Sequence, residues 1–387
     1  MTKQVCTRCI YDDTMAGISF DDEGVCNYCH QHDEMCSVYP AGEEGKKRLQ
    51  ELVDDMKRQG KGKKYDCVVG VSGGCDSSYL VHMLVTQYGL RILAAHFDNT
   101  WNSEIATQNI YKVLTPLNVD LYTHVGDNKE MDDIFKAHML SGIKEVDAAT
   151  DIALAAVLYE AAVKNKVNYI VNGHSFRTEG VAPLGWAYVD GGLVADIHKK
   201  FGKRKAKKFP NLTFSKFIRY TLKDIKRVRP LYYMDYDKAA AKKLLQETYG
   251  WEWYGGHHLE NRFTAFNHLF MFVHKCKLDT RLWEHAALVR SGQLTREEAL
   301  ELLKEKQPYP ADIVELVKKR LKFTDEEFDA FEKLPIKHYW DYNTYKKRFE
   351  LFRPFFWVML KLNRIPKSFY DKFCANKSFG PPKKKTA

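Results

Sequence analysis

Between residues 65 and 172 the apolar positions alternate between two patterns. Short continuous apolar runs occupy 66–71, 91–97, 120–125 and 167–172. Between them lie segments with apolar residues at helical spacing. In 76–88 the apolar positions are 80, 81, 84, 85 and 88, and the segment stops at Gly89; 103–114 and 150–164 read the same way. A continuous run fits a strand buried on both faces, and the intervening period of 3.6 fits crossover helices. The βαβ rhythm therefore predicts an α/β fold, a doubly wound parallel sheet with helices on both faces. Ligands of such sheets bind beyond the carboxyl ends of the strands.

The pattern changes on either side of this block. Residues 43–60 are charged, with Leu49, Leu52, Val53 and Met56 on one helical face, and run into Gly60-Lys61-Gly62-Lys63-Lys64, a boundary signal. A basic insertion at 185–215 interrupts the rhythm, and the sequence after Trp251 turns helical, aromatic and basic. The resulting division is a cysteine-rich segment 1–42, a linker helix 43–64, an α/β domain 65–250 and a C-terminal helical region 251–387. No apolar stretch reaches membrane-spanning length and no signal peptide is visible, so a cytoplasmic protein is expected.

The first strand ends in Ser72-Gly73-Gly74-Cys75-Asp76-Ser77-Ser78. Two glycines allow close backbone approach to an anion, and a helix start with serine hydroxyls can donate to phosphate oxygens. Asp76 would repel bare phosphate, so its natural role is to hold Mg²⁺ against it. The pattern G-x-x-x-x-G-K-[ST] is missing, which argues against a Walker-type NTPase.

Cys6-Thr7-Arg8-Cys9 and Cys26-Asn27-Tyr28-Cys29 form two C-x-x-C pairs. Four thiolates so arranged can close a tetrahedral Zn²⁺ shell, structural rather than catalytic. An iron–sulfur cluster or a redox pair are the rival readings. The formal charge of +10 favours anionic ligands without choosing among them.

The Ser-Gly-Gly-x-Asp-Ser loop resembles the PP-loop of the N-type ATP pyrophosphatases, enzymes with an adenine nucleotide alpha hydrolase-like fold that split ATP into AMP and pyrophosphate. The resemblance implies that Ser72, Gly73, Gly74, Asp76 and Ser77 bind pyrophosphate and Mg²⁺. It places Asp98, in His96-Phe97-Asp98-Asn99, beside the adenosine, and Gly173 and His174 in a loop next to the nucleotide. Arg229-Pro230-Leu231 is similar to a segment near the last strand of the sheet.

Two longer stretches narrow the likeness: Asn172-Gly173-His174-Ser175-Phe176-Arg177-Thr178-Glu179-Gly180, and residues 251–264 with His257-His258-Leu259-Glu260-Asn261-Arg262. Together with the Cys₄ knuckle they resemble the N-acetyl sugar amidotransferases of bacterial surface-polysaccharide and lipopolysaccharide biosynthesis. The implied reaction adenylates the acetamido oxygen of an N-acetylated sugar nucleotide and replaces it with ammonia. Asp76, His174, Arg177 and Glu179 are the implied catalytic residues, and His257, His258, Glu260 and Arg262 the substrate residues. The chain has no glutaminase motif, so ammonia is expected from a partner glutaminase related to that of imidazole-glycerol-phosphate synthase, with a cyclase-like companion. A tRNA-modifying thiolase or ligase is the competing reading; the absence of cysteine between 76 and 275 counts against sulfur transfer, and nucleic acid is not the expected partner.

Overall fold

The computed structural model describes residues 4–180, 188–256 and 258–375. Five parallel strands form one sheet in the order β3-β2-β1-β4-β5: β1 Cys67–Gly70, β2 Ile92–Asp98, β3 Asp120–Val125, β4 Tyr169–Val171 and β5 Lys226–Val228. The order reverses between β1 and β4, so the first and fourth strands bracket the crevice where a doubly wound sheet binds its ligand.

The apolar runs are explained by burial on both faces. In β1, Val69 packs with Leu49, Val53 and Met56 of the helix Gly42–Gln59 and with Leu80 and Leu84 of the helix Cys75–Thr86. Its neighbour Val68 faces the opposite way, into a core with Leu158, Ala161 and Ala162 of the helix Ala148–Lys164. Successive residues of a strand point to opposite faces, so a strand covered on both sides has no polar face to alternate with. The edge strand β3 shows the converse: Val125 is 62% exposed.

The aromatic C-terminal region forms core. Phe349, Phe356 and Phe369 pack against Phe217 at ring-centroid distances of 5.7, 6.0 and 4.8 Å, over the same sheet face as Val68. Two helices absent from the sequence reading also appear. One is Asn128–Ser141, capped by Asp127; the other is Gly191–Phe201, which lies inside the stretch read as an interruption. The basic run following the latter is held by its backbone: Lys203 and Arg204 N–H groups donate to Asp133, and those of Lys207, Lys208 and Phe209 to Glu130. Its charged side chains remain exposed. Among the described residues, no helix is long and apolar enough to cross a membrane.

Candidate active site

The loop after β1 is built from its own polar groups. Ser72 Oγ accepts from Gly74 N at 3.3 Å, and Ser77 Oγ accepts from Ser72 N at 3.4 Å while donating to Gly74 O at 3.2 Å. Gly73 sits at φ +80°, and a Cβ there would lie 2.1 Å from Ala106 O. Only glycine fits that backbone and that gap. Gly173, in the loop after β4, comes so close that its Cβ would stand 3.0 Å from Ser77 N. The start of the helix Cys75–Thr86 therefore faces the crevice between β1 and β4.

Asp76 is placed by that helix start. Its Oδ1 accepts from Tyr236 Oη at 2.7 Å, and its Oδ2 lies 3.5 Å from Lys238 Nζ. Glu179 hydrogen-bonds it from the short helix Phe176–Glu179. Burial alone would raise the Asp76 pKa, but the Lys238 charge and the Tyr236 hydroxyl outweigh it and hold the group below the usual range. Glu179 meets burial and the Asp76 charge together and is pushed well above its usual range. Of the two carboxyls, Asp76 is thus held toward its charged form and Glu179 toward its protonated form. Such a pair is also a ligand pair for a divalent cation, whose charge would favour the ionised form of both.

His174 Nδ1 lies 2.9 Å from Tyr232 Oη and Nε2 3.5 Å from Glu179 Oε2. Burial, with Arg229 nearby, lowers its pKa to about 3, so it is a neutral imidazole. Arg177 turns the other way. Its guanidinium donates to Tyr232 O at 2.6 Å and Tyr39 O at 2.9 Å, tying the site to the N-terminal segment. Asp98 Oδ1, at the end of β2, accepts from Thr100 N at 2.7 Å and Asn102 Nδ2 at 3.0 Å. Cys75 is buried against Tyr236, and burial pushes its thiol up to about 12, which makes it an inert packing group.

Residues 251–256 and 258–262 fold back across the carboxyl ends of the strands. Trp251 Nε1 donates to Gly73 O at 3.0 Å, and Asn261 Nδ2 donates to Asn99 Oδ1 at 2.7 Å. A Cβ on Gly74 would lie 3.1 Å from Tyr254 Oη and 3.3 Å from Glu260 Oε1, so both groups stand over the loop. Arg262 pairs with the exposed Asp312 at 3.3 Å, away from the loop. His257 lies outside the described residues.

A cavity of about 630 Å³ adjoins the carboxyl pair. His174 and Glu179 form its border on the side of the Ser72–Ser77 loop, and His258 lies in its wall. The rest of the wall includes the turn and helix start carrying Glu145, Asp147 and Asp151, the stretch Asn267–Lys275, the helix Arg281–Arg290 and the segment Glu305-Lys306-Gln307-Pro308. No cysteine lines it among the described residues.

Cys6, Cys9, Cys26 and Cys29 are buried with their sulfurs within 4.8 Å of one another. Individual separations of 3.9, 3.7 and 3.6 Å fit the spacing of about 3.8 Å that a tetrahedral ion with 2.3 Å metal–sulfur bonds requires. Backbone N–H groups of Cys9 and Cys26 donate to Cys6 Sγ, and Arg290 donates to Cys9 Sγ at 3.2 Å. The donor set suits a metal ion or cluster. Arg296 reaches Cys6 O and Cys9 O, and the knuckle packs on Ala286 and Ala299. Its platform is therefore the helix Arg281–Arg290 that also walls the cavity.

Tyr236, Lys238, Glu284 and the acidic wall were not apparent from the sequence. Lys238 follows Asp237, whose carboxylate caps the helix Lys238–Tyr249, so locally it reads as an ordinary exposed helix start. Only long-range packing buries it.

Residues 260–355 match the family model described as LPS biosynthesis protein WbpG-like, C-terminal domain. Over those residues the chain is similar to that C-terminal domain. The uncharacterized protein MJ1599 of Methanocaldococcus jannaschii is 25% identical over 170 residues, 44% of this chain. The match spans 58% of that protein's own length. Among solved structures, NMN synthetase from Francisella tularensis aligns at 16% identity and a TM-score of 0.31, over 76% of this chain and 98% of the other. The NH3-dependent NAD synthetase from Campylobacter jejuni aligns at 13% identity and a TM-score of 0.31, over 75% and 97%. The U34-tRNA thiolase NcsA from Methanococcus maripaludis, with its [4Fe-4S] cluster, aligns at 15% identity and a TM-score of 0.31, over 84% and 90%.

Proposed function

We propose that this chain is an ATP-dependent amidotransferase of lipopolysaccharide biosynthesis. It would convert the acetamido group of an N-acetylated sugar nucleotide to an acetamidino group, releasing AMP and pyrophosphate. One observation carries the reading: the Ser72–Ser77 loop with its Asp76–Glu179 pair borders a cavity whose far wall belongs to the WbpG-like region. Nucleotide chemistry and a polysaccharide-type substrate would meet at that border.

An amide oxygen is a poor leaving group, and adenylation makes it a good one. Ser72, Gly73, Gly74 and Ser77 would bind the departing pyrophosphate, with Asp98 and Gly173 toward the nucleoside. Magnesium held by Asp76 and Glu179 would neutralise the charge that develops on the phosphates. Lys238 keeps Asp76 ionised for that task. Neutral His174 orients Glu179, and Arg177 acts by positioning the Phe176–Glu179 turn. His257, His258 and Glu260 are the substrate-side groups of the reading, with Arg262 reaching the acceptor only if it leaves Asp312. The Cys₄ site would hold structural zinc. Ammonia would come from a separate glutaminase with its cyclase-like companion.

The cavity favours nitrogen over sulfur as the incoming atom, because no thiol lines it among the described residues. The test is AMP and pyrophosphate release with ATP, ammonium chloride and a panel of N-acetylated sugar nucleotides, followed by mass spectrometry of the sugar. Exchange of O for NH is the expected result. Absence of sugar-dependent AMP release, with tRNA-dependent AMP release instead, would overturn the assignment in favour of a tRNA-modifying enzyme.

A further inference from the structure

The helix Arg353–Lys361 commits only one of its faces to the core. Phe356 and Met359 are buried there, in the cluster that holds Phe217. The other face carries Trp357, Val358 and Lys361, with Leu362 one turn beyond Val358, all exposed. Leu351 and Phe352 stand exposed just before its first turn. Exposure reaches 76% at Leu351, 50% at Trp357 and 54% at Leu362. Leu222 continues the patch, because Arg364 ties the end of the helix Phe214–Leu222 alongside. Its Nη1 donates to Leu222 O at 3.0 Å and its Nε lies 3.3 Å from Asp224 Oδ1. Six of the twelve large apolar side chains left exposed among the described residues thus gather here, which marks a contact surface rather than scattered exposure.

The charge around the patch has one sign. Residues 346–367 hold seven basic side chains and one acidic, Glu350, which is already paired with Lys346 at 3.0 Å. Lys347, Arg353 and Lys361 are exposed and form no ion pair among the described residues. Lys216, Arg219 and Lys223 extend the same sign along the neighbouring helix and its end. Lys361 Nζ lies 5.4 Å from the centre of the Trp357 ring, which sets a cation at the rim of the apolar face. Protein–protein interfaces are depleted of lysine, whereas helices lying in a lipid–water interface combine Trp, Phe and Leu with Lys and Arg. An RNA backbone would satisfy the cations and leave Leu351, Val358 and Leu362 in water. A helix of nine residues is too short to cross a bilayer, so it would lie along the surface.

We propose that this face is a docking surface for an anionic lipid bilayer. The apolar side chains enter the headgroup region, and the basic ring meets the lipid phosphates. Attachment needs both signals, because a small apolar face or a few cations alone hold a protein only marginally. The proposal is independent of the amidotransferase reading, since neither ATP nor a sugar takes part in docking.

The test is flotation of the full chain with vesicles of phosphatidylcholine alone, and of phosphatidylcholine and phosphatidylglycerol at two to one. The protein should float with the anionic vesicles and stay behind with the neutral ones. It should be released at about 1 M sodium chloride, where the screening length is about 3 Å. The double variant Trp357→Ser, Leu362→Ser should weaken the partition at least about tenfold, and so should Arg353→Glu, Lys361→Glu. All four positions are exposed, so both variants should keep the wild-type melting temperature. Tyr111→Ser, also exposed but on a helix over the opposite face of the sheet, should bind like wild type. No flotation with anionic vesicles, equal flotation with neutral ones, or equal flotation of the patch variants and wild type overturns the proposal. So does a wild-type dimer in sedimentation velocity that the Trp357→Ser, Leu362→Ser variant turns into monomer without any vesicle binding; the patch then joins two copies of the chain. Flotation without any AMP release keeps the surface and removes the amidotransferase reading, and AMP release without flotation does the reverse.

Discussion

Lys238 Nζ lies 3.5 Å from Asp76 Oδ2 and 3.4 Å from Glu284 Oε1, so one buried ammonium joins the helix start after the Ser72–Gly74 turn to the cavity wall. Burial would lower the lysine pKa; the surrounding carboxylates, Asp76 first, more than reverse that and raise it. Replacing it with methionine leaves a cluster of buried carboxyls without their cation. Removing one partner of such a pair costs about 3–5 kcal/mol. Lys238→Met should therefore lower unfolding stability by about that much, read by urea denaturation. In the proposed reaction, AMP formation should fall by at least about 100-fold, the scale of losing one preorganised electrostatic group. Lys238→Arg, which keeps the charge, should retain most of the stability.

Gly73 and Gly89 make a matched pair of left-handed glycines with opposite surroundings. Both have positive φ, +80° and +60°, but a Cβ on Gly89 meets nothing within 4 Å, whereas one on Gly73 strikes Ala106 O at 2.1 Å. Gly89→Ala should cost only the left-handed penalty, about 1 kcal/mol, and keep nucleotide binding intact. Gly73→Ala must also move the loop or the helix Glu104–Leu114. Isothermal titration with an ATP analogue should show binding lost in Gly73→Ala alone. Equal binding in the two variants would remove the loop from the nucleotide site.

What the sequence disclosed and what it hid follow from the range of the forces involved. Four of the five strands were legible because each falls in a local apolar run, whereas β5, Lys226-Arg227-Val228, carries no such run; the loop was legible because Gly73 and Asp76 have local reasons to be where they are. The neighbours of these residues were harder to read. Arg177 and Glu179 sit two residues apart on one helical turn, which sends their side chains to opposite sides. One reaches Tyr39 O, the other Asp76. Glu260, Asn261 and Arg262 diverge in the same way, to the loop, to Asn99 and to Asp312. Tyr236, Lys238 and Asn267 matter only through contacts made far along the chain, and no pattern near them signals it.

The Cys₄ knuckle and the cavity share the helix Arg281–Arg290, which predicts coupling between metal and fold. Arg290 donates to Cys9 Sγ and stacks over Tyr11 at 4.3 Å, offsetting the negative charge that four thiolates bring to a divalent ion. Outer-shell donors of this kind are worth about 10–100-fold in metal affinity. Arg290→Met should lose zinc to a chelator at about that much lower concentration, read by elemental analysis after dialysis. Iron with acid-labile sulfide in the purified protein, instead of zinc, would overturn the zinc assignment. Removing the metal should also lower the melting temperature, because the knuckle has little apolar core apart from the helices it sits on.

His138 supplies a pH dependence that is independent of the reaction. It is fully buried, its Nδ1 lies 2.8 Å from Ile134 O, and its Nε2 has no partner among the described residues. Burial lowers its pKa from the ordinary 6.5 to about 4. The sign follows from proton counting. Between those two values the unfolded chain binds a proton that the folded chain refuses, so stability falls as pH drops below 6.5 and the loss is complete near pH 4. The group's share is about 3 kcal/mol over that window. Other histidines whose pKa is lowered, the partly buried His174 and His268 among them, contribute in the same direction, so the wild-type curve alone does not isolate it. His138→Phe should: its unfolding free energy should decline less steeply than that of wild type between pH 6.5 and 4, with the two curves parallel above pH 7. Parallel curves throughout would mean that His138 titrates normally in the folded protein.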